Sequence, residues 1–302
     1  MPTPTDGFVR FCNYIHEREM IRLRRAQGQP WPWTKDPILQ QYKFTNVQRK
    51  YDRTTQNFAN IYRNHENDAK EETCLMNAAT FRYFGTSEWA VCVGWQRAWS
   101  AKRTLAKAKA AICKGVQVFT GAYVVTNGGR HCPKEEVVVE YLAALREQAH
   151  DITSTMRASH SWKVGAELMY KVPGFGGSGF MTKEVLQDYL LMWPGKVIVD
   201  ADTWTPVGDG GRRGLNRVAG RPVNYTQSKD KWAAECLLLR TAVNPHWKEW
   251  FQTAPTLTAH DVQFCCCEYD KYQRARLGEG HLKNKYRPPT APKHLRNGVE
   301  IA

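Results

Sequence analysis

Apolar residues recur at three- and four-residue spacing through most of this chain, a period that predicts helices rather than strands. Phe8, Phe11, Tyr14 or Ile15, and Ile21 trace one side of a helix from Phe8 to Gln27, with Arg22, Arg24 and Arg25 near its end and Gly28 as its stop. Cations there suit the helix dipole. Gln29 to Pro37 holds three prolines and two tryptophans and reads as an extended connector, because proline biases the residue before it away from helix. If the following run, Ile38 to Arg53, is helical, Arg49, Asp52 and Arg53 share a face at i, i+3 and i+4, which from spacing alone is at least as well explained by a solvated ion pair. Thr73 to Phe84 and Trp89 to Trp99 read as apolar helices. Lys102, Arg103, Lys107, Lys109 and Lys114 make the next helix basic on much of its circumference, as suits a duplex-facing flank or an ordinary soluble surface. Val116 to Thr126, running on to Gly129, alternates and is β-branched, the pattern of a short β-hairpin or extended loop. Pro133-Lys134-Glu135-Glu136 then opens a helix through Gln148.

Two helical patterns flank the glycine-rich stretch Val172-Pro173-Gly174-Phe175-Gly176-Gly177-Ser178-Gly179. Before it Trp162, Ala166, Leu168 and Met169 fall at roughly helical spacing, and after it Met181, Val185, Leu186 and Tyr189 do the same. This is the pattern of a helix-hairpin-helix. Four glycines let the backbone turn with positive φ and leave N–H groups bare at the start of the second helix, where the dipole favours an anion such as a DNA phosphate. Gly174, Gly176, Gly177, Ser178 and Gly179 are therefore the candidate DNA contacts, of the kind that position a duplex without reading its sequence. An ordinary glycine-rich αα-turn has the same look. Lys183, in the second helix, reads as a surface residue. Near the end, Thr258-Ala259-His260-Asp261 is a capping box that starts a helix through Cys265, Glu268, Tyr269, Asp270, Lys271, Tyr272 and Arg274 to a stop at Gly278. Glu268 with Lys271 and Asp270 with Arg274 are helical neighbours, worth tenths of a kcal/mol as bare ion pairs.

Composition narrows the partner. The net charge of +14, from 43 Lys and Arg against 29 Asp and Glu, favours a polyanion. Aromatic residues make up 12% of the chain, eleven of them Trp, offering flat faces on which an exposed base can stack, although most such rings serve a core. No apolar run is long enough to span a bilayer, and the N-terminus lacks a basic-then-apolar signal, so the cytoplasm is the expected place of work. The nine cysteines include no Cys-x-x-Cys, and consecutive Cys265, Cys266 and Cys267 point in different directions around a helix. With no His-Glu-x-x-His pair either, reduced thiols, no structural metal and no cofactor are expected.

Other segments carry a more specific resemblance. After the Trp193-Pro194-Gly195 break, Lys196 to Trp204 is a short apolar run reaching Asp200 and Asp202, and Gly208 to Arg217 sets Arg212 and Arg213 in a flexible glycine frame near Asn216. The hairpin and the run to the aspartates resemble the helix-hairpin-helix DNA glycosylases. Tyr42 to Thr55, with its Asn-Val, basic pair and Asp-Arg, and Cys267 to Gly280, with Cys-Glu-Tyr-Asp-Lys-Tyr before Arg-x-Arg-x-Gly-Glu-Gly, resemble a narrower bacteriophage branch. These are the alpha-glutamyl/putrescinyl thymine pyrophosphorylases, or amino acid:DNA transferases. Tyr51 departs from the pattern, which has an acidic residue there.

The resemblance implies one glycosylase-like helical domain over residues 1–282 made of two intimate lobes, with the hairpin lobe at about 100–222, followed by a basic, loosely ordered tail at 283–302. It implies a phage-encoded enzyme in the host cytoplasm that protects viral DNA from restriction. An upstream kinase phosphorylates 5-hydroxymethyluracil in double-stranded DNA, and the transferase then replaces that phosphate with the amine of a free amino acid, glycine or serine. The reaction requires a base out of the stack, a cationic cradle and a carboxylate for the amine's proton. Asp202 or Asp200 suits the last role, with Glu268, Asp270 and Lys271 as further catalytic candidates. Arg212 and Arg213 with Arg49 or Arg274, joined by Asp52, Arg53 and Asn216, suit phosphate or the amino acid's carboxylate. A glycosylase that excises a modified or damaged base is the alternative.

Overall fold

In the computed structural model, residues 6–65, 70–121, 125, 127, 129–192, 198–280, 282 and 285–286 are described, with backbone alone at 61, 62 and 64. Every regular element among them is helical. In chain order α1 (Asp6–Ala26), α2 (Pro37–Gln41), α3 (Arg53–Tyr62), α4 (Glu71–Phe84), α5 (Ser87–Val93) and α6 (Ala101–Cys113) lead to α7 (Lys134–Ser159). They are followed by α8 (Trp162–Met169), α9 (Phe180–Met192), α10 (Asp209–Val218), α11 (Lys229–Trp250) and α12 (Ala259–Leu277). Extended pairing among the described residues is confined to isolated antiparallel bridges, Tyr42 with Lys285 and Gly85 with Phe119. The fold is mainly α, as the apolar period predicts. Within the stretch expected as a hairpin or loop, Phe119 forms that bridge, while residues 122–124, 126 and 128 lie outside the described residues, as do the 193–197 break and most of the tail from 283.

The chain forms two compact units, one of Lys50–Gly208 with Thr258–His260, the other of Met1–Arg49, Asp209–Leu257 and Asp261–Ala302. In the first, α4 is buried on nearly every side, with Leu75, Met76, Phe81 and Phe84 in the core, as expected of a central helix. It packs on α7 and α9. The polar positions of α9 are buried too, which overturns the surface reading of Lys183: that side chain is only 5% exposed. Arg82 of α4 is the reason. Its guanidinium forks onto Asp188, with Nε at 2.5 Å from Oδ2 and a terminal nitrogen at 2.6 Å from Oδ1. It also meets Glu184 at 3.2 Å and Thr55 at 3.2 Å, and Lys183 Nζ lies 4.0 Å from Glu184. Charges so paired can be buried where single ones cannot.

In the other unit, Phe11 and Tyr14 of α1 pack with Tyr269 of α12, Ile15 of α1 is fully buried, and Trp232, Val243 and Trp247 fill the buried side of α11. Three sequence expectations about elements need correction. Ile38 to Arg53 is not one helix: Asp36 caps the short α2 through the N–H groups of Ile38 and Leu39 at 2.8 and 3.1 Å, and the chain is extended from Tyr42. The next segment is held by distant partners instead, the Thr45 N–H by Glu268 at 3.3 Å and Asn46 by Arg18 at 2.9 Å. Arg49–Tyr51 is a single 3₁₀ turn and Asp52 stands at the N-cap of α3, so Arg49, Asp52 and Arg53 share no helical face. The apolar run from Trp89 stops at Val93, where Gly94 adopts φ +60°.

The third correction concerns the glycine frame, which is the helix α10 and not a flexible loop. Its glycines permit close approach to α12: a Cβ on Gly214 would collide with the backbone carbonyl of Cys266, and one on Gly210 with the thiol of Cys267. Backbone cannot yield as a thiol can. Gly214→Ala is therefore expected to destabilise the protein by about 1–3 kcal/mol, whereas Gly210→Ala, helped by alanine's helix propensity, should lie near neutral; denaturant unfolding of the pair compares them.

Candidate functional site

The turn between α8 and α9 is fixed from its inner side. Phe175 is fully buried, its carbonyl accepts the Thr182 hydroxyl at 2.7 Å, and the Tyr83 hydroxyl donates to the carbonyl of Gly174. Gly174, Gly177 and Gly179 have φ of +84°, +66° and +74°, conformations that glycine adopts without strain. A Cβ at Gly174 would strike the Tyr141 ring, and one at Gly179 would lie 2.9 Å from the Tyr170 ring. Burial, helped by the charge of Glu167, pushes the Tyr170 hydroxyl up to about 12, so it stays protonated. Gly176, with ordinary φ, backs onto the Tyr170 carbonyl. The outer edge is different. Gly177 and Ser178 are exposed, space around Gly177 is open, and their N–H groups have no acceptor among the described residues. They stand just ahead of the first turn of α9, where helix dipole and N–H groups together favour an anion.

The two aspartates that the sequence left open have different surroundings. Residues 200–203 form a tight turn, with the Thr203 and Trp204 N–H groups donating to the Asp200 carbonyl at 3.1 and 3.0 Å. Asp200 turns inward to the start of α8: its carboxylate accepts the Ser161 hydroxyl at 2.5 Å, the Trp162 N–H at 2.9 Å and the Lys163 N–H at 3.2 Å. It caps that helix from a distant part of the chain rather than the turn that follows it. Asp202 is exposed, and its carboxylate has no partner among the described residues. Only its carbonyl is engaged, by the Ala259 N–H at 2.8 Å. Beside Ala259, buried His260 meets Gln187 through Nε2, Thr205 at 3.5 Å through Nδ1, and the edge of Trp162, which itself meets Trp204. The sequence offered no sign of this group, since His260 passed as the interior of a capping box.

Most of the remaining candidates lie in the other unit. Asp270, 2% exposed, is gripped by Arg213 and Arg217, each at 2.8 Å. That carboxylate is committed to joining α10 and α12. Arg212 is partly exposed beside Asp209 at 3.5 Å, and buried Asn216 clamps the carbonyls of Val223 and Tyr225, both at 3.0 Å. Glu268 and Lys271 pair at 3.1 Å, and Lys271 also meets the Lys43 carbonyl and the face of Phe44. Arg274 donates to the Glu279 carbonyl at 3.1 Å beyond the helix end. Arg49 is buried against the Phe264 ring, and its N–H donates to Asp261 at 2.9 Å, so Asp261 serves that turn. Asp52 and Arg53 fall in the hairpin-bearing unit, where Arg53 is exposed.

A family described as "5-hmdU DNA kinase, helical domain" matches residues 5–281. The chain belongs to this family. A "5-hmdU DNA kinase" of Bacillus phage SP10 is 28% identical over 228 residues, which cover 69% of this chain and 35% of that protein. The chain thus spans about a third of the curated relative that it matches. No solved structure matches it.

The family groups the chain with phage 5-hmdU DNA modification, the context that its motifs implied. The matching region is carried by a protein named a kinase, where the sequence resemblance had placed the kinase upstream and separate. Within this family member the two aspartates are separable by experiment. Asp200→Asn removes a carboxylate from a helix start and is expected to cost about 0.5–2 kcal/mol, whereas Asp202→Asn should leave the melting temperature unchanged. Equal melting losses would mean that Asp202 is structural as well.

Proposed function

We propose that the chain handles 5-phosphomethyl-deoxyuridine in phage DNA and replaces its phosphate with the amine of an amino acid. The observation that carries this reading is the contrast within one unit between the exposed carboxylate of Asp202 and the sequestered one of Asp200, together with a hairpin whose outer N–H groups suit a DNA phosphate. In the transfer the exocyclic carbon–oxygen bond breaks with its electron pair on the departing phosphate, a carbon–nitrogen bond forms to the amine, and Asp202 takes the amine's proton. The 302 residues contain no Gly-x-x-x-x-Gly-Lys-Ser/Thr run, the loop that cradles nucleotide phosphates in many phosphotransferases; the transfer asks for no nucleotide.

The name of the SP10 relative favours a second reading, a domain that presents 5-hydroxymethyluracil DNA to a kinase. Incubating the protein with duplex DNA containing 5-phosphomethyluracil and glycine or serine, then digesting to nucleosides for mass spectrometry, separates the two. An aminoacyl-thymidine mass supports transfer. Unchanged nucleosides, with DNA binding intact, favour presentation, and a released base would mean excision. If transfer occurs, Asp202→Asn should lower single-turnover rate roughly 10²–10⁴-fold at unchanged DNA affinity.

The hairpin is tested at Gly177, where a side chain has room and where Asn and Asp tolerate positive φ. Gly177→Asp should weaken binding to all DNA sequences alike, while Gly177→Asn, matched in shape, retains it. Affinity should also fall steeply with salt, given the charge of +14. A sequence-selective loss would contradict backbone contact.

A further inference from the structure

The unit built from the two ends of the chain holds a half-open cavity of about 440 Å³. That volume suits a small metabolite rather than a polymer. Two helices and a cap make its walls. Arg10 and Glu17, seven residues apart, share the face of α1 that lines it, Tyr272 and Arg276, four apart, share the face of α12, and Asp36 contributes from the N-cap of α2.

The walls bring both signs of charge to one space, and the partners of each group are specific. Asp36 is committed to its cap and to the Tyr272 hydroxyl, which donates to it at 2.6 Å. Burial, then Asp36 itself, raises the Tyr272 hydroxyl well above its ordinary value, so it remains a donor. Arg276 uses only Nε, toward Gln273 at 2.7 Å, and the terminal nitrogens of its fork have no partner among the described residues. Arg10 reaches the exposed Asp6 at 3.9 Å and lies by the Tyr269 hydroxyl. Glu17 accepts from Arg24 at 3.2 Å through one oxygen, leaving the other open.

We propose that this cavity binds a free α-amino acid, its carboxylate on the fork of Arg276 with Arg10 beside it and its ammonium on Glu17. Arginine's planar fork matches a carboxylate bidentately, and a carboxylate within reach gives the ammonium its counter-charge. The ligand class rests on the transfer reading, in which an amino acid is the co-substrate. A polyamine, which lacks a carboxylate, leaves both arginines unmatched, and acetate leaves Glu17 unmatched.

Calorimetric titration of the full chain, without DNA, tests this with glycine, serine and glutamate as probes and with acetate, methylamine and putrescine as controls. Amino acids should bind at one site, more tightly than any control. Arg276→Ala and Glu17→Gln should each weaken them at least about tenfold, and Arg276→Lys should keep the melting temperature but recover only part of the affinity. Absence of amino-acid binding, putrescine or acetate binding as tightly, or an Arg276→Ala protein that folds and binds as before overturns the proposal. The two readings fail separately. Transfer to phosphorylated DNA with an unchanged amino-acid KM in Arg276→Ala removes this cavity and keeps the transfer; amino-acid binding lost in Arg276→Ala, with no transfer by the parent protein, does the reverse.

Discussion

The hairpin depends on one buried guanidinium. Arg82 reaches from the central helix α4 to Asp188 and Glu184 on α9, and Thr55 completes the arrangement from α3. Its desolvation is tolerable only because the carboxylates meet it as a fork, and removing one partner of such a buried pair costs about 3–5 kcal/mol where an apolar replacement of the whole set can be neutral. What the ions add is direction. Asp188 and Glu184 lie one turn apart on α9, so a guanidinium that must satisfy both fixes the rotation of that helix about its axis. The first turn of α9, with Gly177 and Ser178 ahead of it, is aimed accordingly.

The long helices were legible in the sequence because apolar periodicity and end signals are local: α1, α4 and α12 have bounds close to those read from spacing and capping. The hairpin was legible because positive φ at Gly174, Gly177 and Gly179 leaves a glycine signature. Polar residues misled wherever the partner was remote. Lys183 read as a surface residue because nothing local marks the buried charge cluster of Arg82, about a hundred residues earlier, with Glu184 and Asp188. Gly210 and Gly214 read as a flexible frame because glycine serves equally for a turn and for close contact between helices.

The same blindness to distance divided the candidate site. Two aspartates two positions apart are equivalent to any local pattern, and only the packing of Ser161 and Trp162 beneath Asp200 distinguishes them. Arginines and carboxylates on α10 and α12 carried a sequence signature, yet Arg213, Arg217 and Asp270 meet one another in ion pairs that hold those two helices together. Of the polar groups lining the cavity between α1 and α12, Arg276 and Tyr272 lie within the C-terminal motif, whereas Arg10 and Glu17 left no signature and look like ordinary surface charge until the two helices are side by side.

The interleaving of the units also sets an order of events during synthesis. The segment from Lys50 to Gly208 is continuous and carries its own core, whereas α1 must find α10, α11 and α12, which lie beyond that whole segment. Domains fold as units while the chain emerges, so α1 leaves the ribosome well before α10, α11 and α12 and is packed only after they follow. Until then its apolar face, with Phe11 and Ile15, is exposed to solvent and to any chaperone that holds such surfaces.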